Sequence, residues 1–206
     1  MTDLPLPLLA SLLFALIGPI ALIPLFATLA GAMSPAEQRR VALRAFLMAL
    51  VTFAIAIFAG ASMLAKAGTS AASLMMAAGL ILCLTAIRAL FSAGSGGAAG
   101  PSPAPGSGIA LALTPIAIPG IVTPVGVAVI VIFVSYFPSL TDRLAILAVV
   151  LAILLADLLA MLFAARLMRA IGPAPLIVLG AVFGVLQAAM GIEMIVSGLG
   201  RSGLFG

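Results

Sequence analysis

Six stretches of apolar residues, approximately 6–31, 42–65, 70–91, 108–137, 144–168 and 174–199, succeed one another with little between them. Each is long enough to cross the roughly 30 Å hydrocarbon core of a bilayer, which takes about 20 residues as helix. Strands are disfavoured: no period-2 alternation is visible, and Ala and Leu dominate. In lipid a helix satisfies its own backbone amides, so a bundle of six transmembrane helices is the expected solution. Charge points the same way. Only 7% of the 206 residues are charged and the mean hydropathy is +1.44, against about 25% charged residues in a soluble domain. So few charges cannot cover a water-facing surface, and the principal partner is the lipid bilayer.

Several function classes fall away on residue content. The net charge is +4, but the nine Lys and Arg are dispersed and form no basic run, which argues against a nucleic-acid partner. There is no histidine, and Cys83 is the only cysteine. Ser-His-Asp hydrolysis, histidine-ligated zinc, an internal disulfide and a cysteine metal site are therefore not expected. With no paired central carboxylates and no nucleophile beside a base, the chain does not read as an enzyme, and no cofactor or metal is implied. The N-terminal MTDLPLPLL lacks the basic region of a signal peptide, so the first apolar run reads as a retained span.

The connections between spans carry the organisation. MSPAEQRR at 33–40 reads as a helix start, with Ser34 as N-cap, Pro35 first in the helix and Glu37 three residues after the cap. FPSLTDRL at 137–144 repeats the pattern with Ser139 and Asp142. Residues 93–107, AGSGGAAGPSPAPGS, read as a flexible uncharged cytoplasmic linker between an N-terminal three-helix repeat (1–92) and a C-terminal one (108–206). Arg39, Arg40, Arg44, Arg88, Arg166 and Arg169 fall on one side of the membrane, and Lys66, Arg143 and Arg201 on the other. The richer side is expected to be cytoplasmic, which puts both termini in the periplasm. The first three arginines fix orientation or, alternatively, recruit anionic headgroups.

Three spans per half is an odd number, so a repeated half must enter the membrane upside down. An ungapped offset of 105 pairs Pro19 with Pro124, Ser34 with Ser139, Glu37 with Asp142, Phe58 with Phe163, Gly79 with Gly184 and Ser92 with Ser197. The expected fold class is therefore all-α, two inverted three-helix repeats, with helices one and four broken. The breaks lie at Gly18, Pro19 and Pro24 in the first span, and at Pro115, Pro119, Gly120, Thr123, Pro124 and Gly126 in the fourth. Gly/Pro-interrupted spans at matching places in two halves point to a substrate or ion site in a transporter, because they free backbone groups at membrane depth. The plainer alternative is a pair of harmless kinks.

These segments resemble a known family. IGPIALIPLF is similar to the Asn-Pro-x-Gly-x-x-Pro element of the MarC family of bacterial inner-membrane proteins, and TPIAIPGIVTPVG to its Pro-x-Ala-x-Pro and Gly-Pro-Gly signature. AAGLILCLTAIRAL and the sixth span also look similar, so the resemblance covers nearly the whole chain. It implies six spans and kinship with LysE-type exporters of amino acids and other small solutes. Gly18 stands where that family often has Asn, Ala21 where it has Gly, and Thr123-Pro124-Val125 where it has Gly-Pro-Gly.

Few polar groups lie within the spans. Asp157 is central in the fifth span with four apolar residues on either side, where a carboxylate costs on the order of 3 kcal/mol to insert. It reads either as a proton- or cation-coupling residue, with its offset mate Thr52, or as packing glue between helices. Gln187 and Gly191 share a helix face and suggest a packing seam; Gly79, Gly184 and Gly191 suit close helix contact. Arg88 and Glu193 are offset mates expected on opposite sides of the membrane, each snorkelling to its interface. Small-residue faces such as Ala77-Ala78-Gly79 could pack within the chain or in a homo-oligomer. The leading functional expectation is an inner-membrane exporter of an unidentified small-molecule substrate. The alternative is a non-transporting scaffold or stress-related partner protein.

Overall fold

The computed structural model describes residues 6–31, 33–94, 116–117 and 120–202. Among them there is no strand, and seven helices account for nearly everything. In chain order they are α1 (Leu6–Ile17), α2 (Pro19–Ala30), α3 (Pro35–Lys66), α4 (Ala71–Gly94), α5 (Pro124–Tyr136), α6 (Leu140–Ile171) and α7 (Pro173–Arg201). The first span comprises α1 and α2, and among the described residues five spans are long and apolar enough to cross a membrane; α5 is shorter. The chain is a multi-pass helical membrane protein. Pro115, Pro119 and most of the 93–107 linker lie outside the described residues. Residues 93 and 94 close α4, so the helix runs further than the glycines of that segment suggest.

Helix ends obey their local chemistry. Ser34 caps α3 through a reciprocal box: its Oγ accepts the Glu37 N–H at 3.3 Å, and Glu37 Oε2 accepts the Ser34 N–H at 2.9 Å. Ser139 caps α6 by accepting the Asp142 N–H at 3.1 Å and donating its hydroxyl to Asp142 Oδ2 at 2.6 Å. In each case a short polar side chain replaces a partner that the first helical turn lacks. Both helices have 32 residues, and their bounds differ by the same 105 that separates the caps. Each is longer than the apolar run within it, because the capped polar turn is continuous with the span.

The core is built around α5, apolar on every side and buried from Val125 to Val134 except at Val127 and Phe133. A helix hydrophobic all round belongs inside a bundle. It contacts α1, α3, α4 and α6. Phe26, Phe53, Ile57, Ile130, Ile146, Leu154 and Met161 fill the space between these elements. On the outside, residues such as Leu47, Val51, Leu159, Val178 and Val185 face the lipid.

The pair α4–α7 is the most extensive helix contact in the fold. The two run antiparallel, because Ala72 meets Gly198, Gly79 meets Gly191 and Cys83 donates to the Ala188 carbonyl at 3.6 Å. A Cβ on Gly191 would come within 2.8 Å of the Gly79 carbonyl oxygen and 2.7 Å of Cys83 Sγ. Without a side chain at either glycine, the two backbones touch directly. A Cβ at Gly180, by contrast, would meet nothing within 4 Å. Gly191→Ala should therefore cost about 1–3 kcal/mol, as overpacking does, while Gly180→Ala, unhindered in a helix interior, should cost nothing and stabilise by up to about 1 kcal/mol. Denaturant titration of the purified protein in detergent checks both.

Candidate functional site

The first break comes from one glycine and one proline. Gly18 leaves the helix at φ −58°, ψ 160°, and Pro19 opens α2 as its first residue. Any Cβ at position 18 would collide with the Phe14 carbonyl oxygen. An Asn could replace Gly18 only if that carbonyl moved. Pro19 has no N–H, so the Ala15 carbonyl, four residues earlier, has no donor within the helix. Gln187 of α7 supplies one across the bundle, its Nε2 donating to the Ala15 oxygen at 3.0 Å. Gln187 thus ties α7 to the broken span, while its helix neighbour Gly191 packs on α4. The clue lay in the sequence: a proline strands a particular carbonyl, and side-chain amides that can reach one at membrane depth are few.

Pro24 does not break the chain a second time. α2 continues through it to Ala30. One turn on, the Thr28 hydroxyl lies 3.0 Å from the Pro24 carbonyl and 2.9 Å from that of Leu25, a back-bond to its own helix of the kind that bends a helix without ending it. The first span is broken once, at Gly18.

In the fourth span the backbone widens before it restarts. The Val122 N–H donates to the Ala117 carbonyl at 2.7 Å, a five-residue step in place of the usual four. Thr123 then caps α5, its Oγ1 accepting the Gly126 N–H at 3.0 Å, with Pro124 first in the helix. Gly126 lies against Ile17, the last residue of α1: a Cβ there would be 3.2 Å from Ile17 Cδ1. The fold therefore brings the two interruptions together, one ending at Ile17 and the other restarting at Thr123–Gly126. Gly120, half-buried, sits at the start of this turn.

Asp157 is fully buried, and neither carboxylate oxygen has a hydrogen-bond partner. It belongs to the stripe Ile146, Val150, Ile153, Asp157, Met161 and Ala164, with which α6 faces α1, α2 and α3. Its height is set by a small cavity that Ala165 shares with Phe26, Ala30, Gly31 and Gln38. The path along α6 from Ala165 to Asp157 covers about 12 Å at 1.5 Å per residue, and the same distance from Ala30 along α2 reaches Leu22. Asp157 is thus level with the first turn after the Gly18 break. Counted the same way from Gln38, the level of Asp157 on α3 falls near Phe46, about 9 Å short of Thr52. The Thr52 hydroxyl bonds its own helix, to the Met48 carbonyl at 2.9 Å.

Arg88 and Glu193 are both exposed, on α4 and α7. Among the described residues no three His, Cys, Asp or Glu side chains gather as a metal site would require. Gln187 is the polar residue with a defined task at the break. Gln187→Leu should cost about 1–3 kcal/mol, the penalty of a buried carbonyl left without a donor. Gln187→Asn, one methylene shorter, should recover only part of it. Thermal unfolding of the two variants in detergent makes the comparison.

The proteins this chain is similar to are named as membrane proteins. The chain is 27% identical over 190 residues to the UPF0056 inner membrane protein YhgN of Escherichia coli K12, covering 92% of this chain and 93% of that protein. The YhgN protein of Shigella flexneri matches equally. A UPF0056 membrane protein of Buchnera aphidicola subsp. Schizaphis graminum is 24% identical over 187 residues, 91% of this chain and 88% of that protein. No solved structure matches. The family model described as MarC family integral membrane protein matches residues 6–202, nearly the whole chain, and the chain belongs to that family.

Proposed function

We propose that this protein is an inner-membrane transporter of small solutes, an exporter built as two inverted three-helix halves, with its substrate held between the broken first and fourth spans. The observation that carries the reading is the contact of Ile17 with Gly126, which joins the two interruptions inside the bundle. Non-helical backbone at membrane depth persists only where protein or a wet path covers it, and such breaks at matched positions form the binding sites of inverted-repeat transporters. The equal lengths and 105-residue offset of α3 and α6 support the inversion. Both termini then lie in the periplasm, as the distribution of arginines favours.

The two breaks differ in one respect. Pro124 strands the Gly120 carbonyl as Pro19 strands that of Ala15. At the offset position matching Gln187 stands Leu82, which has no donor to give. The polar acceptor offered to a solute is therefore the fourth-span break, while the first is closed by Gln187. Asp157, buried without a partner and level with the first break, is the group we assign to coupling with a proton or cation. We assign no catalysis and no cofactor.

The competing reading is a membrane scaffold with both breaks packed shut, which the bond from Gln187 favours. Cysteine substitutions at 19–24 and 119–125, in protein whose native Cys83 is replaced by Ser, separate the two in the membrane. Labelling by a water-soluble maleimide supports the transporter, and uniform protection supports the scaffold.

Asp157→Asn gives a second test. Because neither oxygen has a partner, the amide should leave the unfolding midpoint nearly unchanged. In liposomes carrying a pH-sensitive dye, proton flux on addition of short aliphatic amino acids should fall at least tenfold in the variant. Unfolding at a markedly lower midpoint would instead assign Asp157 to packing. Wild-type protein that moves neither protons nor any of the added solutes would count against transport.

A further inference from the structure

The eight arginines of the chain divide sharply by what they touch. Arg143 donates to the Phe58 carbonyl at 3.2 Å, and Arg169 to the Ala165 carbonyl at 3.2 Å. Arg166 lies over the Phe163 ring at 5.7 Å and Arg201 over Tyr136 at 4.9 Å. Arg88 also has an interaction within the chain. The remaining three, Arg39, Arg40 and Arg44, are exposed on the first turns of α3 and make no hydrogen bond, ion pair or ring contact among the described residues. Glu37 lies close enough for Arg40 to act on it electrostatically. Its carboxylate, however, already accepts from the Ser34 N–H and hydroxyl. This end of α3 gives cations no help, since a helix N-terminus favours anions.

What lies below these arginines identifies their partner. Residues 40, 44, 47, 51, 55 and 58 recur at three- and four-residue steps and form one face of α3. Every one is exposed: Arg40 and Arg44 at the head, then Leu47, Val51, Ile55 and Phe58. Leu43, about half-exposed, flanks the stripe one turn in. The ten residues after Arg44 span about 15 Å, one leaflet of hydrocarbon. The face thus carries two adjacent guanidiniums above an unbroken apolar track as long as an acyl chain.

We propose that the outer face of α3 is a binding site for an anionic phospholipid. Arg40 and Arg44 hold the phosphate, and Leu43, Leu47 and Val51 lie along an acyl chain. Guanidinium pairs suit phosphate because their forked donors can engage two oxygens at once. A free phosphate would use the arginines but leave the apolar track without a role, so the lipid is the occupant the face fits. The site is independent of the transport reading, being on the surface turned away from the breaks.

The test uses the purified, folded protein in detergent, where membrane insertion no longer depends on the cations. Native mass spectrometry would count retained lipid after incubation with equimolar phosphatidylglycerol and phosphatidylcholine. Wild type should retain the anionic lipid at least fivefold over the zwitterionic one. R40Q/R44Q should bring that ratio close to one, and R40K/R44K should restore part of it. R166Q/R169Q, at the same end of the bundle, should leave it unchanged. A short-chain glycerophosphate should compete poorly; if it displaces the lipid as well as a full-length competitor does, the apolar track is no part of the site. An unchanged ratio in R40Q/R44Q, or equal retention of both lipids by wild type, overturns the proposal.

Discussion

A backbone surrounded by hydrocarbon must find every amide a partner within the protein, and this one requirement organises the molecule. It explains why the described chain is helical from end to end and why its helices begin at Ser34, Thr123 and Ser139, side chains that replace missing carbonyls. It also explains why the interruptions are found where other helices press against them. The bond from Gln187 to Ala15 supplies the donor that Pro19 withholds, and the five-residue step at Val122 keeps the fourth-span backbone bonded before it restarts at Thr123.

From that requirement comes a division of labour between the helix pairs. α4 and α7 meet through glycine, with backbones in direct contact, and hold the outer part of the bundle. α5 sits inside and is uniformly apolar, so its position is set by shape and not by any directional bond. α6 contributes both to the core and to the polar interior, because the stripe that packs on α1, α2 and α3 has a carboxylate at its middle. Placing an unpartnered acid among Ile153, Leu154 and Met161 is unfavourable for the fold taken alone, and the same surroundings keep the group away from bulk water.

Much of this could be read from the letters. The all-helical apolar character, the two serine caps and the break at Gly18-Pro19 each rest on local rules that the fold obeys. Pro24 misled because a proline removes one hydrogen bond, at the Ile20 carbonyl, without having to end the helix, and α2 carries on to Ala30. An offset between halves assigns mates without placing them side by side, and Thr52 donates its hydroxyl to the Met48 carbonyl of its own helix. That the two breaks meet is expected from their matched positions in the two halves; that they do so through Ile17 and Gly126 is tertiary and could not be read from spacing.

The positive charges on α3 and α6 have a mechanical consequence. Arg44 and Lys66 bracket one helix and Arg143 and Arg166 the other, each enclosing an uncharged stretch, apart from Asp157, about as long as a bilayer is thick. Sliding either helix along the membrane normal by two turns would drag a guanidinium into hydrocarbon at a cost of about 3 kcal/mol or more. Piston-like displacement is thereby resisted, whereas tilting about the bilayer centre leaves every charge at its own interface. Whatever large motion the molecule makes, its charge pattern channels it into rocking.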